Sequence, residues 1–144
     1  MNIAGGTITG GAATGKGGTI YIYSEYADRE VEATITGGQI LNGTADTGDG
    51  VYITKGDNGI TPVLNITKDA SFGGDGSHIY VDNTVQTQVS FTELTGADTT
   101  IFVDAADKSA SFAAADADYS GYMICDGYKV VYADGNLSFV EDNT

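Results

Sequence analysis

Apolar and polar residues alternate at period two through a set of short runs. The runs are "GGTIYIY" from Gly17, "GDGVYIT" from Gly48, "GSHIYVD" from Gly76, "TTIFVDA" from Thr99 and "GYMICDG" from Gly121. Alternation of this kind marks a strand with one buried face. It places Ile20/Ile22, Val51/Ile53, Ile79/Val81, Ile101/Val103 and Met123/Cys125 on one side. Tyr21, Tyr52, Tyr80 and Phe102 then fall on the other side. The first apolar positions are separated by 31, 28, 22 and 22 residues, a drifting period that signals a repeat architecture.

Each unit carries a second apolar position upstream, and these pair as Ile3, Ile35, Ile66, Phe91 and Phe112. A rival alignment matches the identical "TITGG" words at Thr7 and Thr34. The first alignment is preferred because it superposes "I-x-GG-x-I" in both opening units. Every unit then reads as strand, glycine turn, strand, loop. A unit this small cannot bury its own apolar face and must stack on its neighbours. Stacking turns the apolar positions into inward columns of like residues, with strands of successive units paired in parallel about 4.8 Å apart. The expectation is an all-β chain, a parallel β-solenoid of about five coils over residues 1–127. Residues 128–144 follow in the same domain. There "YKVVYADGNLSFV" sets two β-rich runs around Asp134-Gly135, the signal of a hairpin that caps the last coil.

Composition agrees. The 144 residues include 21 glycines and one proline, with no Gly-X-Y period, which excludes collagen. With 41% hydrophobic residues, disorder is excluded too. The formal net charge is −14, so nucleic acid and anionic membrane surfaces are not expected partners. No apolar run reaches membrane-spanning length, and the opening "MNIAGGTITGG" lacks the basic and apolar regions of a signal peptide. Cys125, the only cysteine, has no internal partner and reads as a core residue. The sequons at Asn42, Asn65 and Asn136 are chance matches in a chain rich in Asn and Thr.

The phrase "I-x-GG-x-I" followed by a "G-x-G-V-Y-I" strand resembles the right-handed parallel β-helix repeats of large bacterial adhesin-like surface proteins, pectin-lyase-like in fold. The matching residues are Ile3 to Ile8 with Gly17 to Ile22, and Ile35 to Ile40 with Gly48 to Ile53. The third unit matches in part, and the fourth and fifth lack the glycine pairs. The resemblance implies a right-handed helix in an extracellular, cell-surface module that is not an enzyme. It supplies no catalytic residue.

The outward aromatic column Tyr21, Tyr52, Tyr80 and Phe102 is the principal candidate site. An exposed ladder of rings can stack on sugars or dock a protein; the competing reading is that the rings pack on one another. "DADYSG" supplies Asp116, Asp118 and Ser120 as the opening of a calcium loop, but its twelfth position is Gly127 where a bidentate acid is required. Calcium is the only cofactor in view. "GGDGSHIYV" approaches a calcium-binding nonapeptide with His78 in the Asp position, and Thr7/Thr9 and Thr34/Thr36 form a short hydroxyl array that later units do not continue. A polysaccharide-degrading enzyme would need clustered carboxylates. His78, the one histidine, is expected on an outer face, and Arg29, within "EYADRE", in a local ion pair. No P-loop, dinucleotide fingerprint or zinc spacing is present. Because the repeat starts at the first residues, the chain is expected to be a piece of a longer protein or to have that end covered, with end-to-end or edge self-association open to it.

Overall fold

The computed structural model describes residues 1–45, 50–95 and 100–142. In chain order the strands are β1 (Asn2–Ile3), β2 (Thr7–Thr9), β3 (Ile20–Ser24), β4 (Glu32–Ile35), β5 (Gln39–Leu41), β6 (Val51–Lys55), β7 (Val63–Thr67), β8 (Ser71–Gly73), β9 (Ile79–Val81), β10 (Gln88–Thr92), β11 (Ile101–Ala105), β12 (Ala113–Ala115), β13 (Met123–Ile124), β14 (Tyr128–Ala133) and β15 (Asn136–Glu141). The one helical element among the described residues is a 3₁₀ turn at Ser120–Tyr122. The protein is all-β.

Three sheets hold these strands, and through β9 every third strand returns to the same sheet. One sheet has the order β1-β4-β7-β10-β12-β15-β14, the second β3-β6-β9-β11-β13, and the third β2-β5-β8. All pairings up to β13 within the sheets are parallel; β15 joins β12 and β14 antiparallel.

Register decides between the two alignments of the opening units. Ile3 pairs with Ile35 and Ile8 with Ile40, so the "I-x-GG-x-I" phrases superpose and the "TITGG" words do not. At the corner between them Gly6 and Gly38 both take φ of +81°, a conformation that costs a side chain dearly. One unit later the corner is "TKDA", one residue longer, with Lys68 itself at φ 57°. Glu93 occupies the equivalent place after β10 at φ 51°.

Both columns drawn from sequence need correction in the later units. Ile79 pairs with Val103, not Ile101, while Ile101 pairs with Met123. Period two makes a two-residue slip silent: the inward set stays inward and only the neighbours change. Likewise Phe91 pairs with Ala115, not Phe112. Phe112 precedes β12 and stacks on Phe139 of the hairpin, ring centroids 4.6 Å apart. The two inward alanines of β12, Ala113 and Ala115, are small, and Leu137 and Phe139 of β15 are buried beside that strand.

The inward parity holds throughout. Val51, Ile53, Ile79, Val81, Ile101, Val103, Met123 and Cys125 are buried, as are Ile35, Ile40, Leu64, Ile66 and Phe91 from the other two sheets. Ile20 is only half-buried, since β3 is an edge strand. The hairpin turn is Asp134-Gly135 with φ of 52° and 80°, the pair of positive values a two-residue turn needs to follow the strand twist. Its strands extend the seven-stranded sheet beyond β12.

Candidate functional site

The outer face of the sheet β3-β6-β9-β11-β13 carries most of the candidate chemistry. Tyr21, Tyr52 and Tyr80 lie in register on β3, β6 and β9. The fourth member is Asp104, which pairs with Tyr80 on β11. Phe102 therefore stands outside the column, two residues away from the position assigned to it by sequence.

The middle of the column is closed. Tyr52 is 3% exposed, against 48% for Tyr21. Its ring lies parallel to that of Tyr80 at 5.0 Å, meets Tyr21 edge-on at 5.7 Å, and carries the Lys16 ammonium 5.2 Å from its centroid. Burial, then the negative charge of Asp82, pushes the Tyr52 phenol up to about 12. Burial and Asp104 raise Tyr80 as well. Alongside runs a second outward column of Tyr23, Thr54 and Asp82. The Thr54 hydroxyl donates to Asp82 Oδ2 at 2.7 Å, and the Thr84 amide and hydroxyl donate to Oδ1. Burial works to raise the Asp82 pKa, but these hydrogen bonds and Lys16 outweigh it and hold the carboxyl below its ordinary value. The exposed rings are Tyr21 and Tyr23 at the β3 edge, stacked at 5.8 Å.

His78 is not on an outer surface; it is 2% exposed. Its Nδ1 accepts the Phe102 amide at 3.1 Å and its Nε2 lies 3.0 Å from the Gly74 carbonyl. An amide donor on one nitrogen and a carbonyl acceptor on the other define a neutral ring protonated at Nε2. Burial lowers its pKa, and the carbonyl contacts only partly oppose that. The ring stacks on Phe72 and meets Phe102 at 68°. Sequence parity missed this because His78 sits at the corner preceding β9, where strand alternation no longer governs direction.

Beyond Tyr80 the face opens into a hollow of about 450 Å³. Phe102 and Ile124, paired across β11 and β13, are 39% and 48% exposed within it. Cys125 lies at its base, buried, with its thiol pKa raised by burial and then by Asp104. Asp126 and Tyr128 also line it. Lys108 is ion-paired with Asp104 at 2.5 Å, donates to the Ala105 carbonyl at 2.8 Å, and lies 5.7 Å from the Tyr128 ring centroid. Its burial is outweighed by Asp104, so the ammonium is held above its ordinary pKa. A second hollow of about 440 Å³, beside β10 and β12, is lined by Asn83, Gln86, Thr87, Gln88, Ser111 and Asn136 among others. Asn83 there is committed: its side-chain amide donates to the carbonyls of Asp107 and Ser111, and its Oδ1 accepts from the Asp107 amide.

Of the candidate calcium residues, Asp118 and Ser120 are bonded to each other while Asp116 is engaged with other residues. Asp116 accepts from the Tyr119 hydroxyl and the Glu93 amide. Asp118 folds back on the amide and hydroxyl of Ser120. Among the described residues no three His, Cys, Asp or Glu side chains form a group able to hold a metal. Arg29, expected in an ion pair, lies over the Tyr26 ring at 5.4 Å. No helix among the described residues is long and apolar enough to cross a membrane.

No family model, curated protein or solved structure matches the chain.

Proposed function

We propose that the three sheets are the faces of a right-handed parallel β-helix and that the chain is a non-catalytic, surface-displayed module of the adhesin-like kind, a rigid scaffold rather than an enzyme. The return of every third strand to the same sheet in parallel supports the helix, and parallel crossovers are right-handed almost without exception. The resemblance of the "I-x-GG-x-I" and "G-x-G-V-Y-I" phrases supports the extracellular setting.

One observation carries the scaffold reading: Tyr52, the centre of the outward aromatic column, is 3% exposed and stacked on Tyr80. The column spends its ring faces on itself and so stiffens the stack of coils. Two carboxylates of this face are engaged as well, Asp82 by two threonines and Asp104 by Lys108. That arrangement suits a structural surface better than paired acids waiting for a glycosidic bond.

Two measurements test the proposal. Antibodies against the chain should label intact cells of the organism that encodes it. The folded protein should release no product from neutral or acidic polysaccharides. Labelling only after permeabilisation, or turnover abolished by a carboxylate substitution, would overturn it.

A further inference from the structure

We propose that the hollow bounded by Phe102, Ile124, Asp126 and Tyr128 is a binding site for a neutral saccharide. The proposal goes beyond the scaffold reading and does not depend on where the module is displayed.

The site follows from the strand register. Because Tyr80 faces Asp104 and not Phe102, the aromatic column stops at β9. Phe102 faces Ile124 across the next pairing, and both remain more than a third exposed. The face thus changes from closed rings at Tyr52 to an open apolar floor within two strands. That floor lies inside a concavity of about 450 Å³, within the size range of small-ligand sites.

The rim selects the ligand. Asp104 and Lys108 form one ion pair within it, and Asp126 is an exposed member of the lining. A purely apolar ligand would strip water from these groups without replacing its hydrogen bonds. An acidic ligand would meet Asp126 and a chain of net charge −14. A cationic ligand, which Asp126 alone would attract, would find Asp104 already paired with the Lys108 ammonium and be repelled by that ammonium. A pyranose has what remains: a C–H face for Phe102 and Ile124, and equatorial hydroxyls that donate to Asp104 and Asp126 and accept from Lys108. Tyr128 cannot serve as the platform on the side Lys108 occupies, so Phe102 is the stacking ring.

The test is a titration of the isotopically labelled intact chain with neutral trisaccharides built from glucose, mannose, galactose and N-acetylglucosamine, with trigalacturonate as the acidic counterpart. At least one neutral sugar is expected to shift the amides of Phe102, Ile124, Asp126 and Tyr128 saturably, with a Kd of about 1 mM or below. Phe102→Ala should weaken that binding about tenfold. Asp126→Asn, at an exposed position outside the core, should weaken it severalfold, with spectral changes of the free protein confined to the substitution and its neighbours. The proposal is overturned if no neutral sugar gives saturable shifts. It is equally overturned if trigalacturonate binds more tightly, if the shifts centre on Tyr21 and Tyr23, or if Asp126→Asn binds as well as the parent.

Discussion

The rings of Tyr52 and Tyr80 lie parallel to within 5°, their centroids 5.0 Å apart, on strands paired in register. Tyr21, one strand away, keeps nearly half its surface in solvent. The column is therefore a stability element at its centre and a surface at its edge. Tyr52→Ala should lower unfolding free energy by about 3 kcal/mol, as expected for emptying a buried aromatic site. Tyr21→Ala should cost less than about 1 kcal/mol. Urea unfolding of the two variants checks this, and equal losses would contradict a closed column.

His78 gives the protein an acid-sensitive joint between β9 and β11. Its native pKa is lowered by burial, whereas the unfolded side chain takes up its proton near 6.5. As pH falls below about 6.5 the unfolded chain binds the proton first, so stability drops until the native pKa is passed. Protonation would also set an Nδ1–H against the Phe102 amide that now donates to it. The urea midpoint should fall between pH 7.5 and 5.5, and His78→Asn, which keeps an acceptor but cannot titrate, should flatten that arm. An equally steep arm in His78→Asn would place the acid sensitivity elsewhere.

Close approach of successive coils makes some glycines irreplaceable without any unusual φ. A Cβ on Gly43 would lie 2.1 Å from the Gly11 carbonyl oxygen and 2.7 Å from that of Gly18. Backbone cannot step aside as a flexible side chain can, so Gly43→Ala should cost on the order of 1–3 kcal/mol. At Gly5 a Cβ meets nothing within 4 Å, and Gly5→Ala should change stability by less than about 0.5 kcal/mol or raise it slightly. Thermal melts of the pair are a direct check on coil spacing, and a neutral Gly43→Ala would mean that the coils stand further apart.

Cys125 should behave as a core residue. It is buried and its thiol pKa is raised, so the reactive thiolate is scarce at neutral pH. DTNB should react slowly with the native protein and with one equivalent at once after denaturation. Rapid native labelling would show that the base of the Phe102 hollow is open to reagents.

Much of this fold could be read from the chain. The Ile–x–Ile alternation assigned the inward residues of all five repeat strands correctly, because period two ties side-chain direction to sequence parity. The glycine pairs fixed the register of the first two units through Ile3/Ile35 and Ile8/Ile40. Register in the later units was not legible. A two-residue slip leaves every inward residue inward, so nothing in the pattern distinguishes Ile79 beside Ile101 from Ile79 beside Val103. The candidate site inherits that uncertainty: Phe102 faces Ile124 under either register, but joins the tyrosines under one and leaves Tyr80 facing Asp104 under the other. Burial of His78 and Tyr52 was illegible for a second reason, since it depends on the corner at Gly74 and on Lys16, neither of which the strand alternation encodes.

The register of β9 against β11 tests the account most directly, because both the closed column and the open Phe102 hollow follow from it. Interstrand NOEs in the labelled protein would report it. The account predicts cross-peaks linking Ile79 and Tyr80 with Val103 and Asp104, together with a set linking Ile101 and Phe102 to Met123 and Ile124. Cross-peaks linking Tyr80 to Phe102 in register would restore a continuous aromatic ladder and contradict it.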